Sequence, residues 1–297
     1  MTSVRAPGTR SRPLRPRRGF SLVEALVALV LFGVVATMLY RTLVGGQRQH
    51  RAHVQSVAVS ESNRAAMAIL AGELRELSAG EGDILAMGST SITFKSMRAF
   101  SIQCVPPDTA ARRLVLDGSL ISGLRPIDSP DDSVLVFAEG DPATRLDDGW
   151  FSAGATSATP GTECPGGRPS IGVTLSGVTA PQLADVQAGA PVRTFRPAQV
   201  IVYQDAGRDW WLGQRLFQPS TGSWSIVQPV LGPLSSPGLT LTYLNGAGAA
   251  TDSAGGVARI GLRVRSRSPE RVHRGGGTTY LLQDVATQVA VRNNPRY

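Results

Sequence analysis

A single carboxylate lies inside the longest apolar segment of the chain. Residues 20–40 read FSLVEALVALVLFGVVATMLY, and Glu24 is the only charged residue among them. A carboxylate inside a bilayer costs about 3 kcal/mol unless it is paired, so an acid in such a segment is a candidate functional group. Glu24 is therefore a residue that a plain hydrophobic anchor leaves unexplained.

The residues around this segment predict a membrane span and its orientation. A helix over residues 20–40 is about 30 Å long, which is enough to cross a bilayer. Residues 1–19 contain six arginines and no acidic residue, whereas only Arg41, Arg48 and Arg51 follow the span closely. The positive-inside bias predicts a cytoplasmic N-terminus and translocation of the residues after about position 45.

Three other interpretations of the N-terminus compete with this one. Val44, Gly45 and Gly46 offer a cleavage site for a signal peptidase, but the apolar run is longer than the core of a secretory signal peptide. The residues from Arg17 to Phe20 suggest a twin-arginine signal, although such signals are only mildly apolar after the arginines. A plain signal anchor fits the length of the run.

The order of basic leader, Gly19, Phe20, apolar residues and Glu24 resembles the prepilin N-terminal motif of type IV pilins and type II secretion pseudopilins. The resemblance covers residues 15 to about 45, which include GFSLVEALVALVLFG. It implies that a prepilin peptidase and methyltransferase cleaves between Gly19 and Phe20 and methylates the amino group of Phe20. It further implies a single-pass inner-membrane protein with a periplasmic head, whose partners are other pilin or pseudopilin subunits and an inner-membrane assembly platform. Its final location would be a pilus or pseudopilus.

Helix electrostatics gives Glu24 a role within this resemblance. The new terminal amino group lies at the positive end of the helix macrodipole, where a cation needs an anion nearby. Glu24 supplies that anion, either within its own chain or to a neighbouring subunit, and becomes a candidate assembly residue. Gly33 is a second candidate, because glycine lets two membrane helices approach closely, although membrane helices also tolerate glycine without such a role.

An amphipathic pattern follows the span and predicts one helix over residues 20–79. We expect a weak point at Gly45 and Gly46, and an end at Gly80 and Gly82. At 100° per residue, the apolar face comprises Val59, Ala66, Met67, Leu70, Leu74 and Leu77, and the charged face comprises Glu61, Arg64 and Arg75.

The rest of the chain predicts a β-rich body, because short apolar runs alternate with turns rich in its 33 glycines and 20 prolines. A hairpin is expected at Asp205–Arg208, and loops over residues 139–168, 245–256 and 266–277. The candidate strands cover residues 91–94, 100–105, 113–116, 133–138, 199–204, 210–217, 239–244, 259–265 and 281–291. In the strand at 259–265 the alternating arginines are expected on the solvent face.

Together these patterns predict an α+β fold: a long N-terminal helix, transmembrane and then amphipathic, packed on a β-rich, mainly antiparallel, pilin-like head. The expected divisions are a cleaved cytoplasmic leader over residues 1–19, a transmembrane helix over 20–44, an amphipathic extension over 45–80 and a periplasmic head over 81–297. The length and this order of elements resemble the larger minor pilins of the PilW and pseudopilin J kind.

Cys104 and Cys164 are the only cysteines. In an oxidising periplasm we expect a disulfide between them rather than free thiols, which the loop-entropy model values at about 4 kcal/mol. His50 and His53 have no acidic or sulfur partner beside them, so no metal site is expected. Six aspartates form an acidic loop region, but their spacing matches no defined calcium loop, and turn formation explains them better. They are Asp128, Asp131, Asp132, Asp141, Asp147 and Asp148.

These observations favour a structural filament subunit over the other function classes. The net charge of +8 is largely that of the leader, so no nucleic acid is expected on the head unless the protein serves a DNA-uptake pilus. No nucleophile elbow, metal-ligand cluster or phosphate loop is found, so neither an enzyme nor a cofactor is expected. The alternative is a membrane-anchored binding or adhesin module that uses the prepilin route for export.

Overall fold

The computed structural model describes residues 19, 21–123, 127–140, 143–144, 146–161, 163–274 and 277–292. The chain divides into two compact units, Met1–His53 and Val54–Tyr297. The first contains the apolar part of one long helix. The second contains the end of that helix and the β-rich head, so the predicted α+β fold is confirmed.

Helix α1 runs over Leu22–Arg75. Leucine, alanine and valine dominate its first half, and no proline interrupts it. The helix continues through Gly45 and Gly46, where a weak point was expected. It ends at Arg75, four residues before the predicted position 79, because a hydrogen-bonded turn follows it. The Ser78 N–H donates to the Asp83 carboxylate at 2.9 Å, and Gly82 adopts a φ of 73° that closes a 3-10 turn over Ala79–Glu81.

The head consists of antiparallel strands, one short helix and two further 3-10 turns, Gly118–Leu120 and Ala254–Gly256. The short helix is α2, Ala180–Ala184. The strands are β1 Ile84–Met87, β2 Ser91–Ile102, β3 Arg113–Asp117, β4 Ser122–Gly123, β5 Ser133–Ala138, β6 Gly149–Pro160, β7 Ser170–Ser176, β8 Pro191–Gln204, β9 Trp210–Gln218, β10 Ser223–Trp224, β11 Gln228–Leu244, β12 Arg259–Arg267, β13 Val272–Arg274, β14 Gly277–Thr279 and β15 Leu282–Ala290.

Thirteen of these strands form one sheet with the main order β15-β12-β11-β9-β8-β5-β6-β7-β3. Strand β8 divides the sheet, because its first half pairs with β5, its second half pairs with β9, and β2 pairs along its other edge. The strands on the β5 side form a closed ring, because β3, the last strand in the order, meets the end of β2 through a bridge between Gln103 and Leu116. The remaining hairpin joins β13 to β14.

Each half of the sheet has its own core. One core lies inside the closed ring of strands and includes Leu114, Val134 and Leu175 together with Leu183 of α2. The other core lies between the end of α1 and the strands β8, β9, β11 and β12. The helix face predicted from the sequence is the one that packs there: Ala66, Met67, Leu70 and Leu74 lie in this core, and Val59 on the same face is also buried. Leu77, the sixth apolar residue, is buried in the same core but follows the end of α1, and the three charged residues are exposed. That prediction is confirmed.

The amphipathic pattern did not reveal one polar residue in this core. Asn63 is fully buried on α1, and neither its amide nitrogen nor its amide oxygen has a hydrogen-bond partner among the described residues. Burial of an amide without hydrogen bonds is unfavourable. Asn63 therefore lowers the stability of this helix–sheet contact.

Two strand predictions were wrong for physical reasons that the structure supplies. The loop predicted over residues 139–168 contains the twelve-residue strand β6, whose small and polar residues carry a weak local strand signal. Residues 91–105, predicted as two strands, contain the single strand β2, because β8 pairs with it from Ser91 to Ile102. Lys95 within β2 lies 3.8 Å from the buried Asp83 carboxylate and over the Phe195 ring. Strands β1, β4, β7, β10, β13 and β14 were also missed, and β13 lies within the loop predicted over residues 266–277. The hairpin after Gln204 is confirmed by its pairing with Trp210.

Candidate functional site: the start of the apolar helix

A serine fixes the point at which α1 begins. The Ser21 carbonyl accepts a hydrogen bond from the Ala25 N–H at 3.1 Å, and the Ser21 hydroxyl oxygen accepts one from the Glu24 N–H at 3.2 Å. Ser21 is therefore the N-cap of the helix. Sequence reasoning missed this residue, although Ser-x-x-Glu is the spacing of a capping box. Gly19 lies two residues before the cap, and apart from its chain neighbours no described atom lies within 4 Å of a Cβ added there. Phe20 lies outside the described residues.

Glu24 occupies the first turn of the helix that Ser21 caps. Its carboxylate therefore lies near the positive end of the helix macrodipole. Its side chain is exposed, and none of the ion pairs found in the described part of the chain involves it. The site thus presents an exposed carboxylate at the base of an apolar helix.

The apolar residues around Glu24 are not covered by the rest of the described chain. The large apolar side chains between Leu22 and Leu43 are between 49% and 82% exposed, Val34 being the least and Leu22 the most exposed. By length and composition α1 is the one described helix suited to crossing a membrane, with a mean hydropathy of 2.5 in its most apolar window. A helix that is apolar on all sides requires lipid or other apolar helices around it.

The two threonine hydroxyls of the same segment are satisfied within the helix. The Thr37 hydroxyl donates to the Gly33 carbonyl oxygen at 2.7 Å, and the Thr42 hydroxyl donates to the Met38 carbonyl oxygen at 3.0 Å. These bonds let threonine lie in an apolar environment without an unpaired hydroxyl. Gly33 has no atom within 4 Å of an added Cβ, so the surface beside it is open to a second helix.

Three of the aspartates weighed as calcium ligands, Asp128, Asp131 and Asp132, bond to protein groups. Asp132 is fully buried and accepts hydrogen bonds from Arg196 Nε at 2.9 Å and from the Asp128 N–H at 2.7 Å. Arg196 also contacts the Asp128 carboxylate at 3.0 Å, and Asp131 accepts hydrogen bonds from Ser220. The Asp131 and Asp132 N–H groups donate to the Asp128 carbonyl oxygen, which makes the turn predicted here. Asp141 lies outside the described residues.

The two cysteines meet at the edge of the closed ring of strands. Cys104 follows β2, and Cys164 lies in the loop between β6 and β7. Their sulfurs are bonded, with a Cα–Cα distance of 5.6 Å, and Cys164 is buried. The disulfide joins the end of β2 to the loop that follows β6, four strands later in the chain.

The three histidines lie on α1 and on β13. His50 and His53 are exposed on α1, and His273 is exposed in β13. Within the ranges that the structure describes, no three His, Cys, Asp or Glu side chains gather as metal ligands do.

Comparison with known proteins bears on the start of α1 alone. Residues 14–40 match the family described as the prokaryotic N-terminal methylation motif. No curated protein and no solved structure matches the chain. The matched residues include Gly19, the Ser21 cap, Glu24 and Gly33, and a motif of this kind points to a structural pilin. It implies cleavage by prepilin peptidase and assembly with other pilins in a membrane. Residues 14–40 therefore support placing this chain among the type IV pilin-like proteins that carry a prepilin-type methylation motif.

Proposed function

We propose that this chain is a minor pilin or pseudopilin, a structural subunit of a type IV pilus or of a type II secretion filament. Prepilin peptidase cleaves it between Gly19 and Phe20 and methylates the amino group of Phe20. Before assembly the processed chain is anchored in the inner membrane, and its head lies in the periplasm. It then joins other pilin or pseudopilin subunits through α1, at an inner-membrane assembly platform.

One observation carries this proposal: the methylation motif coincides with the exact start of a capped, apolar and uncovered helix. Gly19 precedes the Ser21 cap by two residues, so the peptide bond after Gly19 lies outside the helix, where a peptidase can bind it in extended form. Cleavage at that bond leaves the new amine one residue before the cap. The Glu24 carboxylate lies one helical turn further on.

The position of Glu24 supports assembly as its role. A carboxylate and an ammonium group that remain apart in lipid are both unfavourable, and their pairing relieves both. Since Glu24 has no ion pair within the described chain, the amine of a neighbouring subunit is an available partner. Each added subunit would then pair its amine with a Glu24 already in the filament, and this pairing would set the register of the stack.

Substitution of Glu24 by leucine tests this role. The variant has a more apolar span, so membrane insertion is retained, and cleavage is retained because the acid lies beyond the cut bond. We expect processed Glu24→Leu to accumulate in the inner membrane and to be lost from sheared filaments and from crosslinks to other pilins. Thr37→Leu is the matched control, because it raises the hydropathy of the same span but removes a hydroxyl that bonds only to its own helix. That control is expected to assemble as the wild type does.

Mass spectrometry of the exported protein tests the processing step separately. The expected N-terminus is Phe20, with one methyl group on its nitrogen. An N-terminus at Met1 or at Gln47 would contradict the pilin assignment. If processing is normal but Glu24→Leu assembles and functions as well as Thr37→Leu, then Glu24 is not an assembly contact, and a membrane-anchored binding module becomes the better assignment.

A further inference from the structure

Strand β15 ends the main sheet and has one open edge. Its nine residues pair with β12 in an unbroken register from Arg259 and Ala290 to Arg267 and Leu282. Among the residues that the structure describes, no strand pairs along its other side. The edge is therefore a row of backbone groups available to another polypeptide.

The alternation of an antiparallel ladder identifies the free groups. The Val291 N–H donates to the Ala258 carbonyl oxygen, and the Ser268 N–H donates to the Leu281 carbonyl oxygen, so odd-numbered residues of this segment face β12. Even-numbered residues then point their N–H and C=O groups away from β12. The even-numbered Arg292 bridges to Ser78 and not to β12, which agrees with this assignment. The free groups are those of Leu282, Asp284, Ala286, Gln288 and Ala290.

The devices that normally protect a sheet edge are missing from β15. The strand contains no proline, no lysine and no bulge, and its even-numbered side chains are all exposed. Its one charged side chain, Asp284, accepts hydrogen bonds from Arg263 Nε at 2.9 and 3.0 Å, so an arginine already compensates its charge. An edge this long and weakly charged is suited to pairing rather than to solvent.

We propose that the β15 edge is a self-association surface, on which two copies of this chain pair antiparallel around a two-fold axis at Val285. This inference does not depend on the proposed function. In this register Leu282 lies opposite Gln288 of the second copy, and Asp284 lies opposite Ala286. The even-numbered residues from 282 to 288 exchange all of their free N–H and C=O groups. The half-buried Val285 meets its own copy as an apolar β-branched pair.

The sequence of β15 selects this register over its neighbours. A shift in one direction places Asp284 opposite Asp284, and like charges directly opposite each other are unfavourable. A shift in the other direction places Tyr280 of the second copy beside Arg292, where Ser78 already bridges the edge. A two-fold axis also requires an isologous surface, in which residue i meets j and residue j meets i. The pairing centred at Val285 meets all of these conditions.

Cysteine crosslinking of the full chain in membranes tests the pairing. Leu282→Cys and Gln288→Cys are made in separately tagged copies, expressed together and oxidised. Opposed residues of an antiparallel pair have Cα atoms about 5.5 Å apart, within disulfide range. The same residue in the two copies is about 20 Å apart. We expect a covalent dimer from the mixture and none from either variant alone. Thr242→Cys, exposed on the same face but two strands inside the sheet, is the matched control and should give no dimer with either partner.

A charge substitution tests the register. Ala286→Asp places a carboxylate opposite Asp284 twice in the dimer, whereas Ala286→Asn has the same size without the charge. We expect Ala286→Asp to lower the crosslinked fraction about ten-fold and Ala286→Asn to leave it unchanged. Equal yields from these two variants, crosslinking by one cysteine variant alone, or no dimer from the mixture would overturn the proposal. Crosslinks to a different protein would do so as well, because the edge would then hold another polypeptide.

Discussion

Replacement of Leu74 by alanine tests how firmly the end of α1 is held on the head. Leu74 is 2% exposed and lies in the core shared by the helix and the sheet. Ile69, on the same helix, is 54% exposed and provides a control of equal size. Both changes remove apolar atoms at a helical position, so the difference between them isolates the packing of the buried face.

The expected magnitude follows from this difference in burial. Loss of three buried carbon groups at about 0.8 kcal/mol each gives a transfer contribution of about 2.4 kcal/mol. The cavity that remains in a close-packed core raises the total to about 3–4 kcal/mol. Ile69→Ala removes atoms that are already half in solvent and introduces a better helix former, so it should change the free energy of unfolding by less than about 0.5 kcal/mol.

Urea unfolding of the full chain in detergent micelles measures these effects. All four tryptophans lie in the head, so their fluorescence reports on its unfolding and not on the apolar helix. The Leu74→Ala midpoint should fall while the slope with urea stays constant. Equal losses for Leu74→Ala and Ile69→Ala would refute the assignment of this face as the packed one, and would mean that the helix end is not held by its apolar stripe.

Three further predictions concern the head. Asp132→Ala should lower the free energy of unfolding by about 3 kcal/mol, because Arg196 stays buried at 6% exposure without its main partner. The double variant Asp132→Ala with Arg196→Met should recover most of this loss, as measured by urea titration. Burial raises the pKa of Tyr243 to about 12, so the tyrosine ionises in the unfolded state before it does so in the folded state. The free energy of unfolding should therefore fall between pH 10 and 12 by up to about 1.4 kcal/mol per pH unit. Tyr243→Phe should lack this contribution to the pH dependence. Cys104 and Cys164 should resist alkylation until the protein is reduced, and labelling of both without a reductant would show that the bridge is absent in the native protein.

The sequence alone determined the features that depend on neighbouring residues. The basic leader, Gly19 and Glu24 define the methylation motif without reference to the rest of the chain. The 3.6-residue period gave the buried face of α1, because a helix brings residues three and four apart onto one side. Strict alternation gave the exposed arginines of β12 in the same way, with Arg259, Arg263 and Arg265 on the solvent face.

Only the tertiary structure decided the features that depend on residues far apart in the chain. The small residues of β6 form a strand because β5 and β7 pair with it on both sides. Lys95 lies within β2 because β8 pairs with that strand from Ser91 to Ile102. A strand's register and its place at the centre or the edge of a sheet depend on partners that local periodicity does not specify. For the same reason the open edge of β15 is visible only once the order of strands is known, since its sequence is that of any strand with a neighbour on each side.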